Sequence, residues 1–181
     1  MNHMSKNVVI ISSSPRRDGN SETLARQFFQ GAVDAGHEVN FFCLRDLDLG
    51  YCKACYACAK TGKCCQKDQM NEIAPFLLAA DVIVFATPVY FYTMSGQMKV
   101  FVDRLVPWYT QIHADFYLMC TAADEDKKLL KLTIESLRGC TRDCLEQCTE
   151  KGVIIAGGVY EKGEIAGRPE LKKAYKMGRN C

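Results

Sequence analysis

The sequence predicts an α/β sandwich, three layers built around a five-stranded parallel sheet with strand order 2-1-3-4-5. Three observations lead there. Short β-branched runs alternate with segments of helical periodicity, the pattern of parallel strands joined by crossover helices. Asp81-Val82-Ile83-Val84-Phe85-Ala86-Thr87 is almost continuously apolar, as a central strand covered on both faces must be. The chain has 181 residues, 48% of them hydrophobic, which suits one five-stranded domain over 1–181 better than a larger dinucleotide-binding sheet.

Each element has its own signal. Val8–Ser12 reads as the first strand. Ser21–Ala35 places Leu24, Phe28, Ala32 and Val33 at helical spacing, and Gly36 stops that helix. Glu38–Leu44 is the second strand. The segment 45–70 is too long for a plain connection and carries five cysteines, so it reads as a functional insertion after that strand. Asn71–Ala80 predicts a short helix, Asp81–Thr87 the third strand and Ser95–Val106 a helix. Phe116–Thr121 predicts the fourth strand, Lys127–Glu150 a long helix, Val153–Ala156 the fifth strand, and Pro169–Met177 a closing helix.

Bulk properties exclude several classes. Net charge is +2, and acids and bases are interspersed, with only short basic pairs such as Lys127-Lys128 and Lys172-Lys173. That leaves no electrostatic footprint for nucleic acid or a membrane surface. No apolar run approaches the roughly 18 residues of a membrane span. The first strand begins too early for a signal peptide, and Met1-Asn2-His3 reads as a vector remnant. Eleven cysteines in a long chain rich in apolar strands point to reduced thiols and a cytoplasmic protein rather than a secreted disulfide scaffold.

The first βα turn carries the strongest chemical signal. Val8-Val9-Ile10-Ile11 feeds Ser12-Ser13-Ser14-Pro15-Arg16-Arg17-Asp18-Gly19-Asn20-Ser21, and a helix starts at once. Hydroxyls, an arginine and free N–H groups at the positive end of a helix dipole make an anion site. There is no GxxxxGK[ST] and no GxGxxG, so neither a triphosphate P-loop nor the dinucleotide fingerprint fits. A terminal phosphate monoester, such as that of FMN, does. The 2-1-3-4-5 order is the flavodoxin-like one, in which ligands bind beyond the carboxyl ends of the strands where the order reverses. It sets this loop beside Thr87-Pro88-Val89-Tyr90-Phe91-Tyr92-Thr93-Met94-Ser95-Gly96, whose aromatics suit a ledge for a flat ring. An apolar cap or a subunit interface is the competing use of that ledge.

Ser-x-Ser-Pro-Arg-x-x-Gly-Asn-Ser at 12–21, Thr-Pro-Val-Tyr at 87–90 and the cysteine segment together resemble the NADPH-dependent FMN reductase family, in particular its iron–sulfur flavoprotein branch. The resemblance implies FMN, with its phosphate on Ser12, Ser14, Arg16, Asn20 and Ser21. It implies that the ring lies along Pro88, Val89, Tyr90 and Phe91, with the Thr121-Ala122-Ala123 loop on the far side. Most relatives have Gly where Ser12 or Ser13 stands, a departure that bears on the phosphate contacts.

Cys52-x2-Cys55-x2-Cys58-x5-Cys64, followed at once by Cys65, leaves three readings open. The spacing resembles that of the iron–sulfur flavoproteins and would offer Cys52, Cys55, Cys58 and Cys64 to a [4Fe-4S] cluster. Members of the wider family look similar here without a cluster, which leaves bare or redox-active thiols. Zinc sites more often use two separated CxxC knuckles. Elsewhere, Cys43 and Cys120 fall in strands. Cys140, Cys144 and Cys148 form one core-facing helical stripe, and Cys181 is a tail residue.

The function implied is an FMN-dependent NAD(P)H oxidoreductase that passes electrons to a small acceptor, a flavin or a quinone. The alternative is an iron–sulfur flavoprotein electron carrier reduced by ferredoxin, which the slightly basic charge disfavours. The cofactor carries such chemistry, so no catalytic side chain is expected. His37 and His113 read as ordinary surface or loop residues, and Asp103 and Arg104 as a surface or interface pair. A homodimer or homotetramer is expected.

Overall fold

A computed structural model describes residues 4–181; Met1-Asn2-His3, and with them the start of the predicted 1–181 domain, lie outside the described residues. Strands are β1 (Asn7–Ser12), β2 (Glu38–Cys43), β3 (Val82–Tyr90), β4 (Thr93–Met94), β5 (Asp115–Thr121) and β6 (Thr149–Ala156). Helices are α1 (Asn20–Asp34), α2 (Ala57–Thr61), α3 (Met70–Leu78), α4 (Gly96–Asp103), α5 (Lys127–Thr141) and α6 (Pro169–Arg179). Five strands pair in parallel in the order β2-β1-β3-β5-β6, and β4 folds back antiparallel on β3. Leaving aside that two-residue hairpin strand, this is the predicted 2-1-3-4-5 order.

Strand alternation splits the core in two. Val9, Ile11, Ile83, Phe85, Phe116 and Leu118 face one side, where they bury against α3, α4 and α5. Val8, Ile10, Val82, Val84 and Met119 face the other, against Leu24 and Phe28 of α1 and Ala174 of α6. α1 and α6 approach so closely that a Cβ on Gly178 would collide with the Phe28 carbonyl, and one on Gly31 with that of Tyr175. Only glycine permits that separation.

The predicted helix Lys127–Glu150 is corrected: α5 stops at Thr141. From Thr149 the chain pairs with β5, Thr149 opposite Asp115 and Glu150 opposite Phe116. Ladder pairing against a central strand outweighs helix propensity there. The proposed cysteine stripe is broken with it: Cys140 and Cys148 are half-buried and Cys144 is exposed on the intervening turns. Cys148 Sγ donates to the Ile112 carbonyl at 3.3 Å. The third strand ends three residues later than expected, because it continues into the hairpin.

Two side chains sit deeper than their sequence context suggests. His37 is buried, and its Nδ1 accepts from Lys6 N–H at 3.3 Å. Arg104 is 1% exposed and forms a two-pronged ion pair with Asp68 at 2.6 and 2.8 Å, which ties the cysteine segment to α4. Asp103, its neighbour, pairs instead with Lys99 on the surface. The expected Asp103–Arg104 surface pair is therefore two separate ion pairs, one exposed and one internal.

Candidate cofactor site

A cavity of about 160 Å³ opens at the carboxyl edge of the sheet, between the β1–α1 loop, the end of β3 and the loops after β5 and β6. Of the sequence-predicted residues, Ser14, Arg16, Asn20, Ser21, Pro88, Val89, Tyr90 and Thr121 line it. Ser12 and Phe91 do not. Ser12 is still in β1, so its side chain lies within the sheet, fully buried, and its Oγ has no hydrogen-bond partner among the described residues. Phe91 stands at the tip of the β3–β4 hairpin, 99% exposed.

The walls follow from the elements that end here. No side chain caps α1. Its first turn instead holds Glu22, whose buried carboxylate accepts from the Asp18 N–H at 3.1 Å. Arg45, from the turn after β2, reaches Glu22 at 2.5 Å, and Arg26 reaches it at 2.7 Å. Burial alone would raise the Glu22 pKa, but hydrogen bonds from Arg45 and then Arg26 outweigh it and hold the carboxyl below its ordinary value. The same burial, and next the Glu22 charge, push the adjacent Cys43 thiol up. This internal charge cluster fixes the loop from below, and Arg45 also donates to the Ser14 carbonyl at 3.4 Å.

Hydroxyls bind the loop to its neighbours. Ser95 Oγ donates to Ser13 Oγ at 2.9 Å, Ser13 Oγ meets the Ala86 carbonyl at 3.3 Å, and Ser95 N–H donates to Thr87 Oγ1 at 3.0 Å. Ser14 Oγ accepts from Arg16 N–H and donates to the Arg16 carbonyl at 2.8 Å, closing a tight turn. The serines of this loop thus fix its shape as well as offering donors.

The sequence reading missed the fourth wall, Val159 and Tyr160, in the loop after β6. Arg16 Nη1 donates to the Tyr160 carbonyl at 3.0 Å and its guanidinium lies 5.7 Å from the Tyr160 ring centroid. Asn20 Nδ2 donates to the Glu161 carbonyl at 2.9 Å, while Asn20 Oδ1 accepts from Gly163 and Ile165 N–H. Asn20 is thereby the clasp of this loop. The signal that points to it is the Gly157-Gly158 pair: a strand ending in glycines at the same sheet edge delivers its loop to the same place.

The β3–β4 turn completes the mouth. Phe91 and Tyr92 both take left-handed backbone, φ 49° and 59°. Tyr92 Oη donates to Asp124 Oδ2 at 2.8 Å, which joins the hairpin to the loop after β5 and raises the Tyr92 pKa. The donor set suits a phosphate monoester: an uncapped helix start, an arginine and hydroxyls on one side, and Pro88, Val89, Tyr90 and Ala122 as an apolar wall for a flat ring on the other.

The predicted cluster ligands meet a different test. Cys52, Cys55, Cys58, Cys64 and Cys65 surround a second cavity, of about 180 Å³. Among the described residues no three Cys, His, Asp or Glu side chains converge as a metal site. Cys64 turns inward, packed on the core and beside the Arg104 guanidinium. Cys65 takes the outward place, its Sγ 3.5 Å from that of Cys55. Ala57 N–H, then Cys65, lower the Cys55 thiol below its ordinary value and so favour the thiolate. The four candidate thiols Cys52, Cys55, Cys58 and Cys64 thus share one cavity wall, with Cys64 also packed against the core.

A parallel flavodoxin-like sheet with a phosphate-type loop and an apolar wall at its switch point defines a flavodoxin-like class with a site suited to a mononucleotide. The sequence profile of the NADPH-dependent FMN reductases matches residues 6–123, and the chain belongs to that family. It is similar to an iron–sulfur flavoprotein of Methanocaldococcus jannaschii, 38% identical over 100 residues, which are 55% of this chain and 52% of that one. An iron–sulfur flavoprotein of Archaeoglobus fulgidus is 32% identical over 98 residues, 54% of this chain and 44% of that one. The chain thus spans about half the length of these relatives. Among solved structures, an NAD(P)H:quinone oxidoreductase from Methanothermobacter marburgensis superposes with a TM-score of 0.72. It is 20% identical, covering 98% of this chain and 97% of that one, and so shares the fold. No helix among the described residues is long and apolar enough to cross a membrane.

Proposed function

We propose that this chain is an FMN-dependent NAD(P)H oxidoreductase of the flavin or quinone reductase type, acting in the cytoplasm as a homodimer or homotetramer. The observation that carries this is the meeting of the anion loop and the apolar wall in one cavity at the sheet's switch point. Ser14, Arg16, Asn20 and Ser21 would hold the phosphate, and Pro88, Val89, Tyr90 and Thr121 the ring edge. Bound there, FMN supplies hydride acceptance from a nicotinamide and delivery of electrons to a second molecule.

The protein's part is positional. Arg16 meets the phosphate as a charged donor while its contact with Tyr160 fixes the roof. Thr87 and Ser95 hold the end of β3 against the loop, so phosphate and ring subsites keep a set separation. Tyr90, 43% exposed at the mouth, shields one edge of the ring and leaves the other to the nicotinamide and the acceptor. The exposed Phe91 and Tyr109 support self-association.

Titration of flavin-stripped protein with FMN, followed by NADH and NADPH oxidation with a quinone or free flavin as acceptor, tests this reading. Turnover with either acceptor is expected. Tyr90→Ala should change flavin fluorescence and potential more than stability. Protein that stays colourless in excess FMN refutes the reading, and reduction by ferredoxin alone would favour the electron carrier instead. The names of the relatives favour that second reading.

A further inference from the structure

Away from the cofactor cavity, a groove of about 430 Å³ opens between β6 and α6. Four lysines line it, Lys151 from the strand and Lys172, Lys173 and Lys176 from the helix, and no carboxylate does. The chain as a whole is nearly balanced, at +2, so this concentration of one sign is local. β6 meets the cofactor site at its carboxyl end, whereas Lys151 lies near its start, about five residues or roughly 16 Å earlier. The backbone brings Lys151 to the groove. Phe116 pairs with Glu150 but Tyr117 with Gly152, so Lys151 is the extra residue of a β-bulge, a device that re-aims a side chain. A Cβ on Gly152 would lie 2.8 Å from Met177 Cε and 3.1 Å from Tyr117 Cδ1, so its absence makes room for both as the floor. Tyr117 is only 7% exposed, yet it lines the groove, and its hydroxyl has no hydrogen-bond partner among the described residues. Burial pushes its pKa up to about 12, so it stays a proton donor.

The lysines are poorly neutralised. Lys151 meets Asp115 at 3.4 Å, a carboxylate it shares with Lys6 at 4.0 Å, and Lys173 Nζ donates to the Val153 carbonyl at 2.9 Å. Lys172 and Lys176 have no carboxylate partner among the described residues. Like charges one turn apart cost a helix stability. The helix dipole favours a cation only in the last turn, which accounts for Lys176 and not for Lys172 or Lys173. We infer that this groove binds the terminal di- or triphosphate group of a small molecule. Its ammonium groups stand on both walls, so charge spread along a phosphate chain pairs them where a single phosphate leaves one wall unmet. The Tyr117 hydroxyl donates to a phosphate oxygen at the floor, too deep for a flat surface such as a bilayer to reach. The site stands apart from the proposed flavin site and does not depend on it.

The test is calorimetric titration of the full chain, in excess FMN, with inorganic pyrophosphate, tripolyphosphate, ADP and ATP. One ligand per chain is expected. Tighter binding of the nucleotides identifies a nucleotide as the source of the phosphate chain and equal binding an inorganic polyphosphate; either supports the proposal. Lys172→Gln combined with Lys176→Gln should weaken binding about tenfold or more, and Tyr117→Phe about tenfold, since each removes a hydrogen bond to a charged group. In the wild type, tripolyphosphate should protect Lys151, Lys172, Lys173 and Lys176 from acetylation ahead of the other lysines, as mass spectrometry reads without any variant. Absence of binding, unchanged affinity in either variant, or sulfate bound as tightly as tripolyphosphate overturns the proposal. So does binding confined to vesicles of anionic phospholipid. Arg16→Ala should leave polyphosphate affinity as it is; its loss there would move the ligand to the cofactor loop and also overturn the proposal. Flavin binding is read separately by its absorption, so failure here is distinct from failure of the proposed function.

Discussion

At the scale of single residues, the site shows how one side chain serves two ends. Arg16 is a charged donor at the cavity and also a tether for the Tyr160 carbonyl. Arg16→Ala removes both, and a charge-assisted contact to a phosphate contributes on the order of 1.5–3 kcal/mol. FMN binding should therefore weaken by about ten- to a hundredfold, measured by titration of flavin-stripped protein. Unchanged affinity would take the loop out of the site. Most of the residues that line the cavity were legible in the sequence, because a strand, a hydroxyl-rich turn and a helix start have a local signature. Ser12 was not: its place at the end of the first strand was read from the sequence, but the burial of its side chain away from the cavity follows from the pairing of β1 with β3, which is non-local. Tyr160 was hidden for the same kind of reason, since only tertiary packing brings residue 160 to residue 16. Asn20 was read as a ligand from its motif; the clasp it makes to residues 161, 163 and 165 needs the fold.

At the scale of elements, the strand order and helix positions followed from periodicity, and the errors fell where local and non-local preferences compete. Residues 142–150 have no proline to end a helix, and only pairing with β5 decides that Thr149 begins a strand. The β3–β4 hairpin is a sharper case. Two-residue hairpin turns with positive φ at both positions favour Asn-Gly, and here Phe91-Tyr92 occupies them, so no turn signal exists. A left-handed non-glycine residue costs about 1–2 kcal/mol, and Asn lowers that cost through local hydrogen bonding. Phe91→Asn should thus leave stability unchanged or raise it by up to about 1 kcal/mol, read from the denaturant midpoint, since the ring is almost wholly exposed. Its size in solution should fall at the same time if Phe91 supports self-association. A clear loss of stability without a change in size would mean that the ring is packed within its own chain.

At the scale of the molecule, the internal ion pairs make a stability profile with two limbs. Asp68 is held below the usual carboxylate range, chiefly by the hydrogen bond from Arg104, and Glu22 below its own by Arg45 and Arg26 against the effect of burial. The folded state therefore keeps these groups ionised where the unfolded chain has protonated them. Their contribution is fully present above the ordinary values near 4 and is lost as pH falls through the depressed ones. On the alkaline side the sign reverses. Burial pushes Cys120 and Tyr117 each up to about 12, so the folded state holds protons that the unfolded chain releases, and stability declines as pH rises from about 9 toward 12. Denaturant midpoints across pH should form a plateau between these limbs. Asp68→Asn separates the acid limb into parts: it leaves Arg104 buried without its carboxylate, which costs about 3–5 kcal/mol at neutral pH. It should also flatten the descent below pH 4, because one of the depressed carboxyls is gone. An acid slope equal to that of the wild type would show that the Asp68–Arg104 pair carries none of the pH dependence and that other carboxylates set it.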